Sequence, residues 1–361
     1  MPSYILPNIV VQQSSALTSL TIGKFDPLYR HFWTAFANYW SDAAFVGGGG
    51  TYVYARYDPV FYAGATRFAV DWGTINNTRF FEERWQGYAG MNYVWRQHGL
   101  NFRYFYEGRS AYTNLVGINL VNMKPYAGVT LQYSFRDFDQ FVNSVSREDG
   151  VAAKFGADFT DQILGSSAVN EEIVAYGDVR AYYELPWFDH HVLAFRASGG
   201  WVWGDVQQFG VFRMGGPFGE GTGAAPLSPR IFPLRGLAGI TFGGDRAVMF
   251  SGEYRLPLIQ NVNTGIGTWP VFLDKLHLDF FVDAGDIKFR TELPDLFTRF
   301  LVAPGVELKG DFVLGYGLPV TARLGYGIII TNRARLGTLT DSLTGMAVTN
   351  GNAYLQVGTS F

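Results

Sequence analysis

Apolar and polar residues alternate with a period of two along much of the chain. From position 276, Leu276, Leu278, Phe280, Val282 and Ala284 interleave with His277, Asp279, Phe281, Asp283 and Gly285. Val306, Leu308, Gly310, Phe312 and Leu314 alternate with Glu307, Lys309, Asp311 and Val313. Val320, Ala322, Leu324, Tyr326 and Ile328 oppose Thr321, Arg323, Gly325 and Gly327, and earlier Leu100, Phe102, Tyr104 and Tyr106 oppose Asn101, Arg103, Phe105, Glu107 and Arg109. Such a period sends successive side chains to opposite faces of a strand. A soluble sandwich alternates too, so the quality and length of each face decide. Here the cleaner face is apolar over roughly ten residues, the length of a tilted membrane strand. The other mixes charges with glycine and aromatics, as a hydrated, partly filled lumen does. Trp33, Tyr39, Trp40, Trp72, Trp85, Trp201 and Trp203 near strand ends suit interfacial girdles. The pattern predicts an all-β membrane protein, with a large soluble all-β protein as the alternative.

Compact turns are expected at Asp26-Pro27, Asp58-Pro59, Gln97-His98-Gly99, Pro186-Trp187-Phe188-Asp189 and Gly317-Leu318-Pro319. Longer polar loops, 73–82, 112–124, 161–171, 205–234 and 331–350, alternate with them. Strands between these marks fall at 4–11, 15–25, 31–40, 49–57, 61–72, 83–96, 100–111, 126–138, 151–160, 172–185, 191–204, 246–258, 275–285, 303–316, 319–330 and 352–361. Short turns on one side and long loops on the other are the asymmetry of outer-membrane barrels. The expected fold is a single closed antiparallel transmembrane β-barrel of about sixteen strands, with both termini on the short-turn, periplasmic side. At about 23 residues per strand and connection, residues 1–361 make one barrel domain rather than two or three globular ones.

Composition sharpens this. Phe 31, Tyr 21 and Trp 9 bring aromatics to 17%, Gly adds 44, and charged residues are only 16%. No stretch approaches the roughly 18 apolar residues of a spanning helix, and the apolar content excludes disorder. A net charge of -3 leaves no basic footprint for nucleic acid. The absence of cysteine excludes disulfides and thiolate metal sites, and suits an oxidising envelope compartment. Met1-Pro2-Ser3 has no basic start and Tyr4 to Val11 is too short for a signal core, so no signal peptide is read. For an outer-membrane location, the chain is expected to be a mature fragment or a domain of a larger protein.

Four segments carry a resemblance. The long loop ends Phe232-Pro233-Leu234-Arg235-Gly236-Leu237, the twelfth expected strand reads Gly252-Glu253-Tyr254-Arg255-Leu256-Pro257-Leu258, and the thirteenth holds Phe281-x-Asp283-x-Gly285. The chain closes on Tyr354-Leu355-Gln356-Val357-Gly358-Thr359-Ser360-Phe361. These resemble the bacterial surface antigen family, in the superfamily of the outer-membrane insertase and the two-partner secretion barrels. The correspondence is to its Arg-Gly motif at the tip of the sixth outer loop, its Glu-Tyr-Arg-Phe-Pro-Leu strand and its following strand motif. The C-terminal assembly signal would be Phe361 with Val357 and Leu355. Gly23-Lys24-Phe25-Asp26-Pro27-Leu28-Tyr29-Arg30-His31 is similar to the branch whose barrels follow a β-propeller rather than POTRA repeats. Leu237 departs from the aromatic more usual there, and no POTRA repeat lies in the chain.

The residues support that match independently. By alternation Glu253 and Asp283 fall on the charged side of neighbouring strands. The loop from Asp205 to Leu234 is uncommonly long and rich in Gly and Pro, so it can fold back into the lumen. Arg235 would then meet Glu253 and Asp283 in a bidentate or networked contact, with Gly236 permitting close backbone passage. An Arg-Gly in a solvated turn is the alternative.

No catalytic constellation is apparent. His31, His98, His190, His191 and His277 are scattered, the His190-His191 tandem falls in a short, solvated turn, and His277 beside Asp279 reads as lumen filling. The Gly47–Gly50 run lacks a following Lys, and no serine sits in a nucleophile elbow. No metal and no cofactor are expected, and no enzyme. The resemblance implies insertion of proteins into the outer membrane, or passage of polypeptides or lipids across it, through a weak seam between first and last strands. Pro7, which cannot donate to a ladder, and Gly358 sit in those two strands. Partners would be outer-membrane lipid, lipopolysaccharide, unfolded client barrels or an upstream periplasmic domain. A passive pore or a membrane anchor for such a domain is the competing reading.

Overall fold

The computed structural model describes residues 4–12, 15–41, 43–75, 78–113, 119–141, 143–204, 211–216, 230–237, 240–260, 264–265, 270–290, 299–315, 318–333 and 350–358. Eleven consecutive strands open the chain: β1 (Tyr4–Gln12), β2 (Ser15–Phe25), β3 (His31–Trp40), β4 (Phe45–Tyr54), β5 (Val60–Ile75), β6 (Thr78–Trp95), β7 (His98–Thr113), β8 (Asn119–Asp139), β9 (Asp149–Thr160), β10 (Glu172–Glu184) and β11 (Val192–Gly204). Three short strands follow, β12 (Phe212–Gly215), β13 (Ile231–Phe232) and β14 (Ile240–Gly244). Then come β15 (Arg246–Ile259), the two-residue β16 (Thr264–Gly265), β17 (Val271–Lys288), β18 (Leu301–Leu314), β19 (Leu318–Ile328) and β20 (Gly351–Gly358). Among the described residues the only helix is a 3-10 turn, Gln162–Leu164. None is long and apolar enough to cross a membrane, which says nothing of crossing by strands.

The large sheet has 17 strands and is antiparallel throughout. Each main strand pairs with the next in chain order, β11 with β15 and β15 with β17 across the short segments. β20 pairs with β19 over eight residues and with β1 over only four, Ile9↔Val357 to Gln12↔Tyr354. β1 itself is matched along its full nine residues by β2. Pro7 lies just outside the short β1–β20 ladder, where a missing N–H donor shortens pairing.

Local chemistry explains the hairpins. At Asp26-Pro27, Pro presets the first turn position and Tyr29 takes a left-handed φ of 54°, with Tyr29 N–H donating to Asp26 O at 2.8 Å. Each of the sixteen expected segments coincides with a strand of the large sheet, but the limits move. Positions 73–75, 78–82 and 119–124, expected in loops, continue β5, β6 and β8. Polar residues there were read as loop, yet a hairpin already in register keeps pairing beyond the apolar zone. The Gly47–Gly50 run is strand too, paired with Ala35 to Asn38 of β3. Trp85 lies mid-strand in β6 rather than near an end, and Trp40, at the end of β3 as expected, meets the Phe81 ring edge-on at 5.6 Å. The side chain of Trp72 lies outside the described residues.

Burial is inverted relative to a soluble protein. Along β17, Phe280 and Val282 are 47% and 49% exposed, whereas Phe281 and Asp283 between them are 2% and 0% exposed. Leu100, Phe102, Tyr104 and Tyr106 are exposed on β7 while Phe105, Glu107 and Arg109 are buried. Water normally forces the reverse arrangement.

Candidate functional site

The connection between β11 and β15 packs on the buried face of the large sheet. Its described parts form a second, three-stranded sheet: β12 runs parallel to β13 and antiparallel to β14. Phe212, Met214, Phe232, Leu234 and Leu237 are fully or almost fully buried there, against wall residues including Val202, Met249, Ile287, Ala303 and Ile329. The buried face, expected to be hydrated and partly filled, is therefore apolar at this level. Alternation does not reveal this because inward small or aliphatic residues such as Ala303 and Ile329 become a core only where the connection arrives to cover them. Leu237, directly after Arg235 and Gly236, is one of these fully buried side chains.

Just after this apolar piece the chain places Arg235 over β15 and β17. Its Nε donates to Asp283 Oδ2 at 2.8 Å and its Nη2 to Asp283 Oδ1 at 2.7 Å, a bidentate fork. Nη1 lies 2.8 Å from Glu253 Oε1, and Nη2 also reaches Ser251 Oγ at 3.0 Å. The guanidinium sits 3.6 Å from the Phe281 ring centroid, so the motif's aromatic supplies a cation–π face. Ser251 in turn donates to Asp283 Oδ1 at 2.7 Å, and Arg255 holds the other oxygen of Glu253 at 2.7 Å. Burial opposes the charge on Arg235, and the Asp283 and Glu253 carboxylates outweigh it, so its pKa is raised further above its ordinary value.

The adjoining backbone is locked by closeness. A Cβ on Gly236 would stand 2.8 Å from Ala303 Cβ and 3.0 Å from Ile329 Cδ1, and one on Gly327 would stand 3.0 Å from Gly236 N. Asn352 of β20, fully buried, donates from Nδ2 to both Arg235 O and Leu237 O at 3.1 Å. The motif thus touches β15, β17, β19 and β20 together. Gly285 makes room for Met214, whose Cε would lie 2.7 Å from an added Cβ. We expect Gly236→Ala to cost about 1–3 kcal/mol through overpacking, and so to lower the temperature at which the folded form is lost on heat-modifiability gels. An unchanged midpoint would mean that the contact is slack.

A second arginine, which sequence reasoning missed, fastens the other flank. Arg230 Nη2 donates to Asp158 Oδ2 of β9 at 2.7 Å and approaches the Tyr126 hydroxyl of β8 at 3.5 Å. Tyr126 hydrogen-bonds Glu172 of β10. Burial opposes the Arg230 charge and Tyr126, Asp158 and Glu172 overcome it, raising its pKa as well. Its signal was present as the inward carboxylates Asp158 and Glu172, but nothing in one sequence pairs them with position 230. Ser251 and Asn352 were legible only as inward members of their strands.

The remaining expectations are placed as follows. Leu355 and Val357 face outward, 45% and 38% exposed, while Phe361 and most of the Gly and Pro residues of 205–229 lie outside the described residues. His277 Nε2 is 3.4 Å from Asp279 Oδ2 with both side chains buried. The tandem expected to be solvated is half-buried: His190 contacts Glu148, and His191 Nδ1 lies 2.7 Å from the Tyr254 hydroxyl, because the β10–β11 turn folds against its neighbours.

No protein-family model matches the sequence, and no curated protein sequence is significantly similar. Solved structures are. CdiB from Escherichia coli superposes on 100% of this chain and 64% of its own, with a TM-score of 0.66 at 11% identity. CdiB from Acinetobacter baumannii superposes on 99% of this chain and 60% of its own, with a TM-score of 0.59 at 13% identity. The chain therefore spans less than two thirds of either structure, and the likeness is one of fold.

Proposed function

We propose that this chain is an outer-membrane β-barrel of the insertase and two-partner secretion type, moving polypeptides or lipids into or across the outer membrane. In this reading the sheet closes as sixteen strands through the β20–β1 pairing. Its buried face is the lumen, its termini and short turns face the periplasm, and the β11–β15 connection is the inward-folded sixth outer loop. The observation that carries the proposal is the inverted burial, since apolar residues exposed along every main strand need lipid rather than water. The Arg235 contact with Asp283 and Glu253 supports the narrower assignment, and the likeness of fold to CdiB supports the architecture. A packed apolar plug anchored by two arginines favours a gated device over the passive pore.

Two measurements test this. Phe280→Arg, on the lipid side, is expected to lower the yield of folded protein in vesicles, with a cost of about 2–4 kcal/mol near the midplane. Folding of the wild type as a monomer in detergent-free buffer would refute the membrane reading. In planar bilayers the wild type should conduct weakly and a deletion of 205–234 strongly; high conductance from the intact chain would favour the porin reading instead. Insertion of an unfolded client barrel into liposomes carrying the chain tests the activity itself.

A further inference from the structure

The short-turn side carries a polar cluster that plays no part in the loop site. The β8–β9 connection, 140–148, folds back over the buried face: Ser144, Val145 and Glu148 are buried, and Lys275 Nζ of β17 donates to Ser144 O at 2.8 Å. At its end the Glu148 carboxylate contacts His190 Nδ1 in the β10–β11 turn. The His190 backbone N–H donates to Glu184 Oε1 at 2.9 Å. One carboxylate oxygen from each glutamate and a ring nitrogen of His190 lie within 4.8 Å of one another.

Glu148 decides what this cluster is for. It is 1% exposed, and its Oε2 is buried with no hydrogen-bond partner among the described residues. A buried carboxylate oxygen left unmet is costly, so a cation is the natural complement. Two carboxylates and one imidazole are the donor set of a first-row divalent ion; the imidazole argues against magnesium and calcium, which prefer all-oxygen shells. Glu148 and His190 stand on different hairpins, which is why no ligand spacing was visible in the sequence.

We infer that Glu148, Glu184 and His190 bind a zinc-type divalent ion that fastens the 140–148 connection to the β10–β11 turn. On binding, His190 Nδ1 turns its lone pair to the ion and the proton between it and Glu148 is released. The site stands whether or not the chain transports anything.

The full chain, folded in detergent micelles, is titrated with ZnCl2 against a chromophoric chelator. A single saturable site is expected, removed by EDTA and not displaced by MgCl2 or CaCl2. Glu148→Gln and His190→Ala should weaken it by more than the roughly 10–100-fold that follows loss of an outer-shell partner, and His191→Ala should not. Zn2+ should also slow tryptic cleavage after Arg147. X-ray absorption of the wild-type complex should contain imidazole scattering, a measurement that needs no variant to fold. Lack of saturable Zn2+ binding, unchanged affinity in Glu148→Gln, or a shell without imidazole would overturn the inference.

Discussion

Arg235→Ala is expected to release the β11–β15 connection from β15 and β17 and to reduce the amount of heat-resistant folded protein. The substitution removes the fork on Asp283, the contact with Glu253 and the cation–π face on Phe281 in one step. Asp283 is fully buried and would keep Ser251 but no cation. Removing one member of a buried pair typically costs about 3–5 kcal/mol, because the other charge is stranded without solvent. Arg235→Lys should be intermediate, since an ammonium keeps the charge and loses the bidentate geometry. Replacing Arg235 and Asp283 together should hurt less than the sum of the single changes, with a coupling of up to about 3 kcal/mol. The midpoint of the gel-mobility shift on heating, with membrane abundance, measures this. Wild-type values for both in Arg235→Ala would show that the loop is held by its apolar piece alone. Because Asn352 of β20 grips the backbone on both sides of Gly236, the release should also loosen the last strand.

The second large effect concerns the β1–β20 ladder. It holds four residue pairs, where β6 and β7 share sixteen. A disulfide between Val10→Cys and Gln356→Cys, which face each other directly, should abolish client insertion or secretion and leave folding intact. Opposed residues in an antiparallel pair stand about 4.5–5.5 Å apart at Cα, within the reach of a disulfide. The chain has no cysteine, so the introduced pair has no competitor. Reduction should restore activity. The same bridge between Phe61→Cys and Met91→Cys, inside the long β5–β6 ladder, should leave activity unaffected. Full activity of the oxidised Val10–Gln356 pair would remove the lateral seam from the proposal and return the competing readings, an anchor or a pore, to first place.

The site was legible in parts. Arg235, Glu253 and Asp283 announce themselves as charges at inward positions beside a loop too long for a simple turn, so their meeting could be anticipated from spacing and face alone. Arg230 could not, because its partners Asp158 and Tyr126 lie 72 and 104 residues away in the chain and the loop before it has no periodicity to orient it. Asn352 is an ordinary inward residue until the loop backbone arrives beside it. The apolar cluster around Phe212, Met214 and Leu234 was invisible for the same reason: inward Leu301, Ala303 and Ile329 are isolated apolar positions until the connection packs on them.

Alternation with a period of two, turn residues at regular intervals and the scarcity of charge determined that this chain is a sheet of about sixteen strands with one apolar and one polar face. Those are properties of neighbouring residues and survive in a single sequence. Tertiary structure alone decided which polar groups share a partner, how far the hairpins extend past the apolar zone, what fills the buried face, and that Glu148 meets His190. Each of these joins residues distant in the chain, and the free energy that selects them, burial of charge against charge and of methyl against glycine, exists only once the sheet has brought its walls together.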